Sequence, residues 1–164
     1  VVGYSRLMSA DEVGTLEALK KRRREILDPT VKAHGGRIVK FMGDGVLVEF
    51  TSAVKAVEAA IELQDKFAAA NEGFPEDRRV ALRIGINLGD VIGEGTDIYG
   101  DGVNVAARLE SMAEPGGICI SSSVYDQITG KLDLGFQDMG EQELKNISRP
   151  IRAFSVSGSA GPVP

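Results

Sequence analysis

Histidine and cysteine are nearly absent from this chain: His34 and Cys119 are each the only one of their kind. A Ser-His-Asp triad or a histidine-based zinc site therefore has little to build with. A lone cysteine excludes an internal disulfide and fits a reducing cytoplasm, which is the expected compartment. The run Gly117-Ile118-Cys119-Ile120 reads as a buried strand in which the thiol packs as a small apolar group. No apolar stretch approaches the roughly 18 residues needed to cross a bilayer, and no signal peptide is visible. The chain also lacks a G-x-x-x-x-G-K-[ST] loop and a G-x-G-x-x-G turn after a strand, which removes support for P-loop and Rossmann readings. A formal charge of −5 argues against a general nucleic-acid binder.

What is present is an ordinary globular composition, 43% hydrophobic and 26% charged over 164 residues, enough for one domain with a substantial core. Residues 11–33 carry a helical pattern, with Ser9 as a candidate cap, Pro29 as a candidate kink, and Gly35-Gly36 as the stop. Two β-rich runs, 37–42 and 46–50, flank Gly43-Asp44-Gly45, a strong hairpin signal because Asp and Gly tolerate positive φ. A second amphipathic helix is expected over 52–70, with Val54, Val57, Ile61 and Phe67 on one side. A third strand is expected over 79–87, then a Gly-rich loop or short hairpin over 89–102 and a helix over 103–112. A strand at 118–120, a short helix at 124–129 and two late strands, 134–139 and 151–156, complete the domain. This order predicts an α+β fold with helices on one sheet face. Residues 1–157 form the expected domain, and 158–164 read as a flexible tail.

The candidate chemistry lies in the turns and on one helix face. Asp44 suits a tight turn, and a carboxylate on a rigid turn also suits a hard cation such as Mg²⁺. Lys40 sits in an apolar strand, where its charge needs an exposed face or a partner. Asn104 and Arg108, four apart, share a helix face; the pair suits a ribose and a phosphate, though Arg108 also has Glu110 and Glu114 nearby. The run Lys20-Lys21-Arg22-Arg23-Arg24 reads as a solvated helix face, and His34 as a helix C-terminal residue favoured by the dipole.

Three segments together carry a family resemblance: Ile38-Val39-Lys40-Phe41-Met42-Gly43-Asp44, Arg83-Ile84-Gly85-Ile86-Asn87-Leu88-Gly89, and Asp97-Ile98-Tyr99-Gly100-Asp101-Gly102-Val103-Asn104-Val105-Ala106-Ala107-Arg108-Leu109. With the opening Val1-Val2-Gly3-Tyr4-Ser5 and the late Leu144-Lys145-Asn146-Ile147, they resemble the class III adenylyl/guanylyl cyclases. The resemblance implies a ferredoxin-like βαββαβ core with extensions, paired head to tail as a homodimer with active sites between the subunits. It implies two divalent metal ions, Mg²⁺ or Mn²⁺, with Asp44 as one of two metal aspartates. Lys40 and Asp97 match the pair that reads adenine, which favours ATP, since adenine offers an acceptor at N1 and a donor at N6. Asn104 matches the residue that orients the ribose, and Arg108 the one that stabilises charge on the reacting phosphate. Lys145 is similar to a further phosphate-contacting lysine, and backbone N–H groups of Gly3, Tyr4 and Ser5 suit the phosphates.

The family's first metal aspartate immediately precedes the segment at which this chain starts. The expectation is a fragment of a longer protein with a regulatory domain elsewhere, of low activity in this form. The alternatives are a guanylate cyclase and a catalytically silent nucleotide-binding signalling dimer.

Overall fold

The computed structural model describes residues 1–88, 92–94, 97–99, 101–144 and 149–157; for 92–94, 97–99, 101 and 157 the backbone alone is described. After a short helix α1 (Tyr4–Ala10), the chain runs almost without a break through α2 (Glu12–Arg22), a π-helical turn (Arg23–Leu27) and α3 (Asp28–Ala33). Asp11, not Ser9, caps α2: its Oδ1 accepts from the Gly14 N–H at 3.0 Å, while Ser9 lies inside α1. The helix continues through Pro29, which has no N–H for the Glu25 carbonyl four residues earlier and whose ring crowds it. The irregularity expected at Pro29 takes the form of the π turn just before it, which contains Glu25.

Strands β1 (Arg37–Met42) and β2 (Gly45–Glu49) form the expected antiparallel hairpin. Helix α4 (Ala53–Asn71) follows, capped by Ser52 Oγ, which accepts from the Lys55 N–H at 3.3 Å. The third strand is shorter than its alternating pattern suggests: β3 covers only Ile84–Ile86. The preceding residues spend their backbone groups elsewhere. Val80 exchanges two hydrogen bonds with the Asn71 side chain, Ala81 O accepts from the Val2 N–H, and Leu82 O accepts from Gln64 Nε2 and the Gly116 N–H. A two-stranded ribbon, β4 (Ile92–Glu94) and β5 (Asp97–Tyr99), leads into α5 (Asp101–Met112). Then come β6 (Ile118–Ser121), α6 (Ser122–Ile128), β7 (Gly135–Gln142) and β8 (Ile151–Ser157).

Four strands make the main sheet in the order β3-β6-β8-β7, parallel between β3 and β6 and antiparallel elsewhere. Strand β6 is buried on both sides, and this determines the layering. Ile118 and Ile120 join Val57, Ile61, Val124 and Phe154 in a core beneath α4 and α6. Cys119, between them, faces Val105, Leu109 and Ala153 beneath α5. Helices therefore cover both faces of this sheet rather than one. A third cluster joins the first helices to the hairpin, with Ile26, Leu27, Val31 and Phe67 against Ile38, Val46 and Val48. An open cavity of about 490 Å³ separates β2 from β3, lined by Val46, Val48, Ala60, Leu63, Leu82 and Ile84. Among the described residues, no helix is long and apolar enough to cross a membrane.

Candidate functional site

The hairpin carries the first two candidates, Lys40 within β1 and Asp44 at its tip. Gly43, at φ +60°, supplies the left-handed backbone its tip requires, and Asp44 stands exposed beside it. The Val1 ammonium donates to the Asp44 carbonyl oxygen at 3.1 Å, so the start of the chain lies against the tip. Between Ile38 and Lys40 the register shifts: Ile38 pairs with Val48, Lys40 with Leu47 and Phe41 with Val46. This bulge turns the strand. Ile38, Val46 and Val48 pack toward the helices, Phe41 sits opposite Val46 on that side, and Lys40 sits opposite Leu47 on the other. Without the extra residue, strict alternation would have put Lys40 on the same side as Ile38. Strand β5, which carries Asp97, runs beside β1. The Asp97 side chain and the whole of Lys145 lie outside the described residues.

The second group rides on α5. Val105 and Leu109 are buried against the sheet, which leaves Asn104 exposed and Arg108 half-buried on another face. No ion pair joins Arg108 to Glu110 or Glu114 among the described residues. Gly85 is what lets α5 lie so close to β3. A Cβ there would stand 2.3 Å from both Ala106 O and Glu110 N, backbone atoms that cannot turn away. Asn87 has a role that the sequence did not reveal. Its Nδ2 donates to Gly102 O at 3.2 Å, and Ser123 Oγ donates to its Oδ1 at 3.5 Å, tying the first turn of α5 to β3 and α6. A polar residue ending the apolar run Ile84-Gly85-Ile86 was the available signal.

Gly3, at φ +64°, turns the chain into α1, with Tyr4 and Ser5 in its first turn. Leu7 anchors this helix as a 5% exposed core residue, and its carbonyl accepts from Thr15 Oγ1 at 2.9 Å. The opening segment is thereby held against α2. Its first-turn N–H groups have no partners within the helix, which suits an anion.

The remaining chemistry-bearing residues have structural roles. Cys119 is fully buried, and desolvation pushes its thiol up to about 11, away from nucleophilic use. His34 caps α3 and lies 3.5 Å from Glu62 Oε2. The basic run follows a helix face that is largely exposed. Among the described residues there is no group of three or more His, Cys, Asp or Glu side chains able to hold a metal ion. A single exposed carboxylate such as Asp44 does fit a hard cation that keeps water ligands and takes its remaining oxygens from a phosphate chain.

The chain matches the family model for the adenylate and guanylate cyclase catalytic domain over residues 1–158. It is 53% identical over 156 residues to a Rhizobium meliloti protein provisionally named adenylate cyclase 3, covering 95% of this chain and 27% of that protein. The chain thus spans about a quarter of that relative's length. Among solved structures, it resembles an adenylate/guanylate cyclase/hydrolase from Silicibacter pomeroyi at 44% identity and TM-score 0.87, covering 96% of this chain and 91% of the other. It also resembles the adenylyl cyclase CyaB from P. aeruginosa at 28% identity and TM-score 0.79, covering 96% and 90%. With its motifs in order and its fold shared, this chain belongs to the adenylate and guanylate cyclase catalytic domain family.

Proposed function

We propose that this chain converts ATP to 3′,5′-cyclic AMP and pyrophosphate, at sites formed between two copies paired head to tail. The observation that carries the reading is the bulged hairpin, which turns Lys40 away from the helices while presenting Asp44 at its tip. The ribose 3′-oxygen attacks the α-phosphorus in line, and the bond from that phosphorus to the β-phosphate bridging oxygen breaks. Lys40 donates to adenine N1 and Asp97 accepts from N6, which positions the base. Asn104 orients the ribose, and Arg108 meets the charge that grows on the α-phosphate oxygens. The first turn of α1, from Gly3 through Ser5, and Lys145 contact the phosphates. Asp44 would hold divalent cations, Mg²⁺ or Mn²⁺, with the triphosphate oxygens; such ions lower the pKa of the attacking hydroxyl and neutralise the leaving group. The Val1 ammonium lies close to the Asp44 carbonyl, so a carboxylate joined ahead of Val1 would arrive beside Asp44. Residues 1–157 are the proposed catalytic unit, acting in the cytoplasm under a regulatory domain of the same polypeptide.

The test is product identity. The protein, alone and with aspartate joined ahead of Val1, is given ATP or GTP with Mn²⁺, and nucleotides are separated by chromatography. Cyclic AMP from ATP, formed faster by the extended chain, is expected. Cyclic GMP instead would transfer the reading to a guanylate cyclase. Nucleotide binding with no pyrophosphate released would transfer it to a silent signalling module.

A further inference from the structure

One contact between the first helices and the hairpin joins two elements that each carry a backbone irregularity. The π turn Arg23–Leu27 interrupts an otherwise α-helical run, and the bulge between Ile38 and Lys40 interrupts β1. Pro29, with no N–H for the Glu25 carbonyl, accounts for the π turn, and a β-bulge re-aims the side chains around it. At the π turn two consecutive arginines go to different partners. Arg22 Nη2 donates to Ala70 O at 3.1 Å, while the Arg23 guanidinium lies 3.8 Å above the centre of the Phe41 ring. Arg23 Nε is also 3.9 Å from Asp28 Oδ1, so its guanidinium is held between a carboxylate and an aromatic face. Phe41 in turn follows Lys40 directly and leads through Met42 and Gly43 to Asp44.

We infer that Arg23 is a positioning residue for base recognition: stacked on Phe41, it holds the back of β1 and thereby sets how Lys40 is presented on the other side. Phe41 is 42% exposed and belongs to none of the buried clusters, and the guanidinium lies over its ring. A guanidinium stacks flat on an aromatic ring in a way that an ammonium does not, so lysine replaces it only in part. The inference rests on Lys40 being the adenine-reading residue, and it assigns Arg23 no contact with substrate.

The experiment measures equilibrium binding of 3′-deoxy-ATP and 3′-deoxy-GTP, which lack the attacking hydroxyl and cannot cyclise, to the wild type, Arg23→Ala, Arg23→Lys, Phe41→Leu and the Arg23→Ala/Phe41→Leu pair. Thermal unfolding is recorded alongside. The wild type is expected to prefer the adenine nucleotide. Arg23→Ala and Phe41→Leu should each lower that preference about two- to fivefold, the range an exposed cation–π contact supports. The double variant should lose no more than either single, Arg23→Lys should keep part of the preference, and Tm should hold within ~2 °C. An unchanged preference in a selective protein overturns the inference and leaves the Lys40 reading intact. A loss that tracks a large fall in Tm overturns it too, since Arg23 would then act through stability alone. A wild type with no preference overturns the Lys40 reading and the inference with it.

Discussion

At the scale of single residues, burial and pairing separate the groups that hold the fold from those offered to a substrate. Asp138 illustrates the first kind. Arg152 donates to both of its carboxylate oxygens, and the Gly140 N–H adds a bond of 2.8 Å to Oδ1. The Arg152 hydrogen bond and then the Gly140 N–H hold this carboxyl below its usual 3.8. A depressed carboxylate stabilises the fold above its unfolded pKa and stops doing so as pH falls through its folded value. Asp138→Asn should therefore lower Tm at neutral pH, and the deficit should close as pH drops below 3.8; thermal melts across that range check it, and a deficit independent of pH would contradict the assignment. Arg108 is proposed to be of the second kind; among the described residues it is half-buried on α5 and paired with neither nearby glutamate. If it acts on charge that appears only during reaction, Arg108→Ala should cost about 10²- to 10³-fold in kcat with little change in KM. Steady-state kinetics with ATP decide this, and a pure KM effect would make Arg108 a ground-state binder instead.

At the scale of elements, the close approach of α5 to β3 makes a sharper claim. Gly85→Ala would drive a methyl group into the α5 backbone, so it should destabilise by at least the roughly 1–3 kcal/mol typical of overpacking and displace Asn104 and Arg108 together. A denaturant titration showing wild-type stability would contradict that packing. The same elements show what the sequence made legible. Gly43-Asp44-Gly45 between two β-rich runs announced the hairpin, and the spacing of Val57, Ile61 and Phe67 announced α4, because both depend on local pattern. The bulge at Val39 was not legible, since Ile38-Val39-Lys40-Phe41 contains no residue that marks a break, whereas Pro29 marked a disturbance of the helix four residues ahead of it without saying that it would be a π turn. Residues 80–83 alternate like a strand, yet their backbone partners come from Asn71, Gln64 and Val2, which are distant in sequence. The second covered face of the sheet was signalled only by Cys119 between two isoleucines, which reads equally well as half of a one-sided strand. Asn87 lay in full view, but its partners at Gly102 and Ser123 are tertiary facts.

At the scale of the molecule, one chain carries two sets of groups. The hairpin tip offers Asp44, while β1, β5 and α5 carry Lys40, Asp97, Asn104 and Arg108. A head-to-tail pair would set the tip of one copy against the second set of the other, twice per dimer by symmetry. This makes the two variants Asp44→Ala and Arg108→Ala complementary, since each spoils a different half of the site. The measurement that tests the account most directly is cyclic AMP formation from ATP by each variant, made in the chain with aspartate joined ahead of Val1, alone and in an equal mixture of the two. Each alone should be near background. Random pairing makes half of the dimers mixed, and each of those has one intact site of two, so the mixture should recover about a quarter of the extended parent's activity. A mixture as inactive as its components, from an aspartate-extended parent that makes cyclic AMP, would contradict the shared site; an extended parent that makes none would contradict the account as a whole.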